Sequence, residues 1–151
     1  MKVLILLGSQ TDEPVMSESV KYLEWFGITA DMIVASAHRD PDKVFELTST
    51  AESKGYQVII AAAGMAAALP GVVAAKTNLP VLGVPLEGGL PGGIDALFSI
   101  VQMPPGIPVG TLAVGKTGAK NSAILAARII ALSNDSIKKK LEEFRKLGYK
   151  L

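Results

Sequence analysis

The single histidine of the 151-residue chain, His38, stands in a cluster of polar side chains. Ser36 and Arg39 accompany it, directly after an apolar run that is typical of a strand. Histidine exchanges protons near neutral pH, so any acid–base chemistry by an imidazole in this protein must use His38. An arginine guanidinium is a natural clamp for an anion, although Arg39 is equally placed to pair with Asp40 or Asp42. The cluster therefore indicates proton transfer beside an anionic group, or else capping and packing by His38.

A second polar cluster, Gly-Ser-Gln-Thr-Asp at residues 8–12, follows the first apolar run in the same way. A strand-to-helix turn of this kind offers backbone N–H groups and hydroxyl donors at a helix N-terminus, which suit a phosphate. The Asp12 carboxylate can accept hydrogen bonds from a ribose hydroxyl. Simple capping of the next helix by Thr11 or Asp12 explains the same residues. Polar loops at the carboxyl ends of parallel strands predict a ligand site.

Small residues dominate the third loop, at residues 63–71 (Ala-Gly-Met-Ala-Ala-Ala-Leu-Pro-Gly). Small side chains let the backbone approach a flat ligand closely. Close packing of a helix on a strand explains the alanines equally well. A glycine-rich loop follows at residues 87–93, which is either a mobile lid or an ordinary connection between a strand and a helix.

The composition argues against several classes of function. With 15 basic and 14 acidic residues the formal net charge is +1, so there is no electrostatic reason to expect binding to nucleic acid or to an anionic membrane. The lack of cysteine excludes disulfides and thiolate catalysis, and a single histidine argues against a zinc site. Mean hydropathy is +0.37 and 19% of the residues are charged, so we expect apolar helices to pack against other copies in a homo-oligomer.

Two apolar stretches have to be distinguished from a signal peptide and a membrane span. Residues 1–7 form a short run that leads into acidic residues rather than a cleavage site, so we expect a buried strand in a cytoplasmic protein. Residues 58–75 approach the length of a membrane span, but they contain Gly64, Pro70 and Gly71. We therefore predict a strand, a loop and a buried helix there.

Strand-like and helix-like segments alternate along the chain. The strand-like runs are rich in Val, Ile and Leu without strict alternation, as in parallel strands covered on both faces, and span residues 2–7, 28–35, 57–63, 80–85 and 108–113. The predicted helices span residues 13–26, 41–54, 66–76, 94–102, 121–131 and 136–147. This order predicts one α/β domain over residues 1–151, a three-layer α/β/α sandwich with a flavodoxin-like parallel sheet and a charged C-terminal helix at about residues 134–148.

Taken together, the motifs resemble those of the PurE family of purine biosynthesis, from the first strand to about Leu132. They occur in family order at residues 8–12, 36–39 (Ser-Ala-His-Arg), 69–71 (Leu-Pro-Gly), 79–85, 93–97 and 99–104. Class I members convert N5-carboxyaminoimidazole ribonucleotide to 4-carboxyaminoimidazole ribonucleotide, and class II members carboxylate aminoimidazole ribonucleotide with free CO2. The resemblance implies an enzyme that assembles as an octamer and uses neither a metal ion nor ATP nor any other cofactor.

The resemblance also implies a role for each matching residue. The residues expected to face the aminoimidazole ring are Ser36 and His38, with His38 as general acid and base. Those expected to hold the nucleotide are Ser9, Thr11 and Arg39 at the 5′-phosphate and Asp12 at the ribose. Those expected along the ring and the CO2 site are Gly64, Met65, Ala66 and Ala68.

The third loop departs from the family pattern. Class I members usually carry Gly-Gly-Ala-Ala-His-Leu-Pro-Gly there, whereas in this chain Met65 replaces the second glycine and Ala68 the histidine. The Met65 thioether is a candidate to fill the space left by the imidazole. The class II motif Gly-Arg-Ser-Asn is absent. Three functions stay open: a class I-like mutase, a PurE-like paralogue that carboxylates or decarboxylates aminoimidazole ribonucleotide or another nucleotide, and a non-catalytic nucleotide-binding oligomer.

Overall fold

A five-stranded, entirely parallel β-sheet forms the centre of the computed structural model, which describes residues 1–151. Its strands are β1 (Lys2–Leu7), β2 (Thr29–Val34), β3 (Tyr56–Gly64), β4 (Val81–Leu86) and β5 (Gly110–Thr111). Their order in the sheet is β2-β1-β3-β4-β5. This is the flavodoxin-like order, in which the chain reverses direction across the sheet between β1 and β3. The predicted fold class is confirmed.

Helices cover both faces of the sheet. They are α1 (Glu13–Trp25), α2 (Pro41–Ser49), α3 (Leu69–Ala74), α4 (Ile94–Val101), α5 (Gly115–Ala131) and α6 (Asp135–Lys146), with short 3₁₀ helices at Gln10–Asp12 and Pro91–Gly93. One apolar core joins α1, α5 and α6 to one face, and a second joins α2, α3 and α4 to the other. Alternate residues of β1 point into the two cores, since Val3 and Ile5 belong to the first and Leu4 and Leu6 to the second.

Several predicted boundaries were wrong. α5 begins at Gly115 rather than at residue 121. Gly118, which a sequence pattern treats as a helix breaker, lies inside this helix. It packs against the Ala113 carbonyl group, where a Cβ would not fit. α3 begins at Leu69 rather than at residue 66, and Pro70 lies in its first turn, a favoured position. α2 ends at Ser49 and β5 has only two residues. These differences lie at element ends and leave the order of elements unchanged.

The edge strand β2 differs from the expectation of strands covered on both faces. In β2, Thr29 is exposed and the other five residues are half-buried, whereas β4 is buried throughout.

The long uncharged stretch at residues 58–75 forms most of β3, the loop after it and α3. None of the helices combines the length and apolar character that crossing a bilayer requires.

A polar cluster at the amino end of the sheet joins the starts of three strands. The Tyr56 hydroxyl donates a hydrogen bond to the Asp31 carboxylate at 2.6 Å, and the Lys2 ammonium lies 3.3 Å from the same carboxylate oxygen. This hydrogen bond lowers the pKa of Asp31. Burial, followed by the bond to Asp31, raises the pKa of Tyr56 to about 12. The cluster lies at the opposite edge of the sheet from the loops that carry His38.

Candidate active site

The loops that follow β1, β2, β3 and β4 meet at the carboxyl edge of the sheet and enclose a cleft of about 470 Å³. All ten residues that the sequence singled out line it: Ser9, Thr11, Asp12, Ser36, His38, Arg39, Gly64, Met65, Ala66 and Ala68. A larger depression of about 820 Å³ lies near the amino end of β4, but Lys76 is its only charged side chain and it contains no histidine. The chemistry of the residues, rather than volume, identifies the smaller cleft as the candidate active site.

The loop after β1 is folded around its own hydrogen bonds. The Ser9 hydroxyl oxygen accepts hydrogen bonds from the Thr11 N–H at 3.3 Å and the Thr11 hydroxyl at 2.9 Å. The Asp12 carboxylate accepts the Ser9 N–H at 3.0 Å, which completes a capping box. Asp12 occupies the N-cap position of α1, as predicted, but its side chain makes no capping bond there, and the side chain that caps the 3₁₀ helix is Ser9. Since the Ser9 oxygen only accepts here, its own proton remains free for a ligand.

Asp12 lies partly out of solvent at the inner end of this loop. Burial raises the pKa of its carboxyl, and the hydrogen bond from the Ser9 N–H opposes that shift. The carboxylate retains lone pairs that the Ser9 bond does not use. A hydroxyl of a ligand is a suitable donor to them.

The loop after β2 presents a hydroxyl, an imidazole and a guanidinium to the cleft. The Arg39 N–H donates to the Ser36 hydroxyl oxygen at 3.3 Å, so Ser36 is held in place and its own proton is free. The alternative role of Arg39 as an ion-pair partner of Asp40 or Asp42 is not seen, because Arg39 takes part in none of the four ion pairs of the structure. Asp40 instead caps α2 by accepting the Lys43 N–H at 3.3 Å. His38 and Arg39 are both exposed and open to a ligand.

The loop after β3 supplies backbone and small side chains. A Cβ at Gly64 would lie 3.1 Å from the Leu86 carbonyl oxygen, so this position allows the ends of β3 and β4 to approach each other closely. Met65 has a φ of +56°, in the left-handed region that favours glycine. Met65 is 61% exposed. Compensation for Ala68 by the Met65 thioether stays a prediction.

The loop at residues 87–93 was predicted from the sequence to be a lid or a connection and none of its residues was assigned to the site, whereas Glu87 and Gly88 line the cleft. The rule that ligands bind at the carboxyl ends of parallel strands applies to β4 as well, so it could have included these residues. This loop is anchored by Asp95, whose carboxylate accepts the Leu90 N–H at 3.0 Å. A Cβ at Gly89 would overlap that carboxylate, so the glycine there permits the contact.

Comparison with known proteins gives consistent matches along the chain. The model of the family described as AIR carboxylase matches residues 2–149. The N5-carboxyaminoimidazole ribonucleotide mutase of Escherichia coli (strain K12) is 50% identical over 145 residues, which cover 96% of this chain and 86% of the relative. The mutase of the same name from Pyrococcus abyssi is 53% identical over 144 residues, covering 95% and 82%.

A solved structure gives the same picture for the fold. The crystal structure of Treponema denticola PurE superposes with a TM-score of 0.86 at 26% sequence identity, covering 98% of this chain and 91% of that one. The similarity therefore extends over the whole sheet, its helices and the loops that form the cleft.

Proposed function

We propose that this chain, which belongs to the AIR carboxylase (PurE) family, converts N5-carboxyaminoimidazole ribonucleotide to 4-carboxyaminoimidazole ribonucleotide in purine biosynthesis. The observation that carries this proposal is the convergence of the loops after β1, β2 and β3 on one cleft. They bring hydroxyl donors, a guanidinium and the only imidazole of the chain together. The mutases from Escherichia coli and Pyrococcus abyssi favour this activity over a paralogous carboxylase or a non-catalytic binding protein.

Three residues are proposed to bind the 5′-phosphate: Ser9, Thr11 and Arg39. The free hydroxyl proton of Ser9 supports this assignment, as does a guanidinium that has no ion-pair partner. Asp12 is proposed to accept a hydrogen bond from the ribose. These contacts would fix the nucleotide at the first two loops, with its aminoimidazole ring directed towards the third.

Four residues of the third loop are proposed to lie along the ring and the CO2 site: Gly64, Met65, Ala66 and Ala68. In the reaction, the N-carboxylate leaves as CO2, and the nitrogen takes a proton. The ring carbon C4 then attacks the retained CO2, and the C4 proton is removed to restore aromaticity. A small apolar wall suits a neutral, linear molecule, and retention of CO2 beside C4 makes the second step intramolecular in effect.

His38 is proposed as the general acid of the first step and the general base of the second. A single imidazole can perform both, because the proton that it gives to the nitrogen is replaced by the one that it takes from C4. Ser36 is proposed to contact the ring beside it, through the hydroxyl proton that its bond with the Arg39 N–H leaves free. No metal or cofactor is needed to balance these steps.

We further propose that the enzyme is a cytoplasmic homo-oligomer, with the octamer of the family as its expected state. Two features support an assembly. The outer face of α4 exposes Ile94, Phe98 and Val101 at helical spacing, with Phe98 57% exposed. The edge strand β2 is only half-buried. Light scattering of the purified protein tests the state directly.

The first experiment is an ultraviolet assay of the purified protein with N5-carboxyaminoimidazole ribonucleotide, in which formation of the 4-carboxy isomer is followed. We expect turnover in bicarbonate-free buffer, since the CO2 comes from the substrate. A requirement for added bicarbonate and aminoimidazole ribonucleotide would instead indicate a direct carboxylase. A folded oligomer that binds the nucleotide without turnover would indicate a binding protein.

A further inference from the structure

Glu87 is a charged residue of the cleft that has no partner within the chain. It directly follows β4, whose last residue, Leu86, pairs with Gly64 of β3. The Glu87 carbonyl oxygen lies 3.5 Å from the position of a Cβ on Gly64, so the backbone of Glu87 is fixed beside the third loop. The side chain is exposed, lines the cleft and belongs to none of the four ion pairs. Nothing in the single chain therefore occupies this carboxylate.

The cleft contains one other carboxylate, that of Asp12. Asp12 is half-buried and already accepts the Ser9 N–H at 3.0 Å as part of the capping box. Glu87 also borders an adjacent cavity that contains Lys116, but the two side chains form no ion pair. Glu87 is therefore the acidic group of the cleft that is fully available to a ligand.

The proposed reaction creates positive charge at one atom of the substrate. When C4 attacks CO2, a new C–C bond forms with an electron pair from the ring, and the exocyclic amino nitrogen becomes an iminium cation. Loss of the C4 proton to His38 returns an electron pair to the ring and restores the neutral amino group. An acceptor with negative charge beside that nitrogen stabilises the intermediate more than the ground state, which lowers the barrier.

We propose that the Glu87 carboxylate accepts a hydrogen bond from the exocyclic amino group of the aminoimidazole ring and stabilises the charge on this nitrogen during carboxylation of C4. The inference rests on the proposed function, since it adds a substrate contact and a catalytic role to the same cleft. Charge-assisted hydrogen bonds are about twice as strong as neutral ones, so the contact would strengthen as the charge develops. Glu87 and His38 would then serve separate tasks, one at the amino nitrogen and one at the moving proton.

The test is a cycle of two changes, one in the protein and one in the ligand. Calorimetry measures binding of aminoimidazole ribonucleotide and of imidazole ribonucleotide, which lacks the amino group, to the wild-type protein and to Glu87→Gln. Glu13→Gln is the matched control, because it removes the same charge from a side chain that lies near the cleft but does not line it. We expect the amino group to improve binding by about tenfold in the wild type and in Glu13→Gln, and by less than about twofold in Glu87→Gln.

Turnover of N5-carboxyaminoimidazole ribonucleotide supplies the second readout. We expect Glu87→Gln to lower kcat by about 10- to 100-fold, more than it weakens binding of aminoimidazole ribonucleotide. An amino-group contribution that is the same in Glu87→Gln and in the wild type would overturn the inference. If the wild type binds aminoimidazole ribonucleotide without turnover, the proposed function and the catalytic role of Glu87 fail, and the binding cycle still decides whether Glu87 contacts the amino group. If it binds neither ribonucleotide, both proposals are wrong.

Discussion

The loops after β1 and β2 bring hydrogen-bonding side chains to the cleft, whereas the loop after β3 presents backbone and mostly small side chains to it. In the first pair, Ser9 and Ser36 each accept hydrogen bonds from within their own loop, and each keeps a proton free. In the third loop, Met65 adopts a left-handed backbone and makes no such bond. The first two loops are therefore suited to hold a ligand through hydrogen bonds, whereas the third loop lets its backbone lie close to the ligand.

The strand order of the sheet explains this difference between the loops. β1 and β3 are neighbours at the point where the strand order reverses, so the loops after them diverge and leave a crevice between them. Gly64 allows the ends of β3 and β4 to approach each other closely beside that crevice. A phosphate is bound by hydrogen-bond donors held in place, whereas a flat ring and CO2 need space beside an apolar surface that excludes water. The two kinds of loop therefore match the two ends of the proposed substrate.

The largest effect is expected from breaking the polar side at His38. His38→Asn keeps a polar side chain of similar size but removes the group that carries the proton. We expect kcat to fall by about 10²- to 10⁴-fold, the range of general acid–base catalysis. Binding of aminoimidazole ribonucleotide should stay within about threefold of wild type, since the phosphate contacts lie elsewhere. The ultraviolet assay and calorimetry measure the two quantities, and an active His38→Asn enzyme would refute the assignment.

A second variant tests whether the small-residue side has kept the family's geometry. Ala68 lines the cleft, is half-buried and precedes α3, where it makes no side-chain capping bond. Ala68→His restores the residue that class I members carry there. We expect kcat/KM to rise by up to about tenfold, as one added hydrogen bond allows. Ala75→His, at the other end of the same helix, is the control. No change in a folded Ala68→His protein would mean that this wall has been rebuilt around alanine.

The sequence predicted this site better than it predicted the element ends around it. The alternation of strand-like and helix-like segments was enough to place Ser9, His38 and Gly64 at the same edge of one parallel sheet. The boundaries of α5 failed because the close fit of Gly118 against the Ala113 carbonyl is a tertiary contact, which no local pattern contains. Glu87 was missed for a different reason, since it directly follows β4 and the same rule of ligand sites at the carboxyl ends of parallel strands could have included it.

The strained backbone at Met65 offers a smaller test of the same side. With a φ of +56°, this residue carries a conformational cost of roughly 1 kcal/mol that glycine does not. We therefore expect Met65→Gly to raise the free energy of unfolding by about 0.5–1 kcal/mol, measured by urea denaturation. Met65→Ala is the control, because it removes the thioether and keeps the Cβ. Equal stability of the two variants would show that the side chain, rather than the backbone, sets the stability at this position.

The smallest effect is expected at the far edge of the sheet, where Tyr56 donates its hydroxyl to Asp31. Tyr56→Phe removes this bond and should lower the free energy of unfolding by about 0.5 kcal/mol at pH 7, since Asp31 is 42% exposed and the bond is screened. Turnover should not change, because the cluster is remote from the cleft. A fall in turnover without a loss of stability would show that the two edges of the sheet are coupled.

The pH dependence of the same variant has a defined sign. The pKa of Tyr56 is raised from 10.0 to about 12, so its contribution is complete below pH 10 and is lost as the pH rises through 12. The pKa of Asp31 is lowered from 3.8, so its contribution is present above that value and is lost as the pH falls through its lower value in the folded protein. Denaturation curves of wild type and Tyr56→Phe should therefore differ most between these limits and converge as the pH approaches 12. A gap that persists at that pH would mean that the hydrogen bond from the protonated Tyr56 hydroxyl to Asp31 is not the source of the difference.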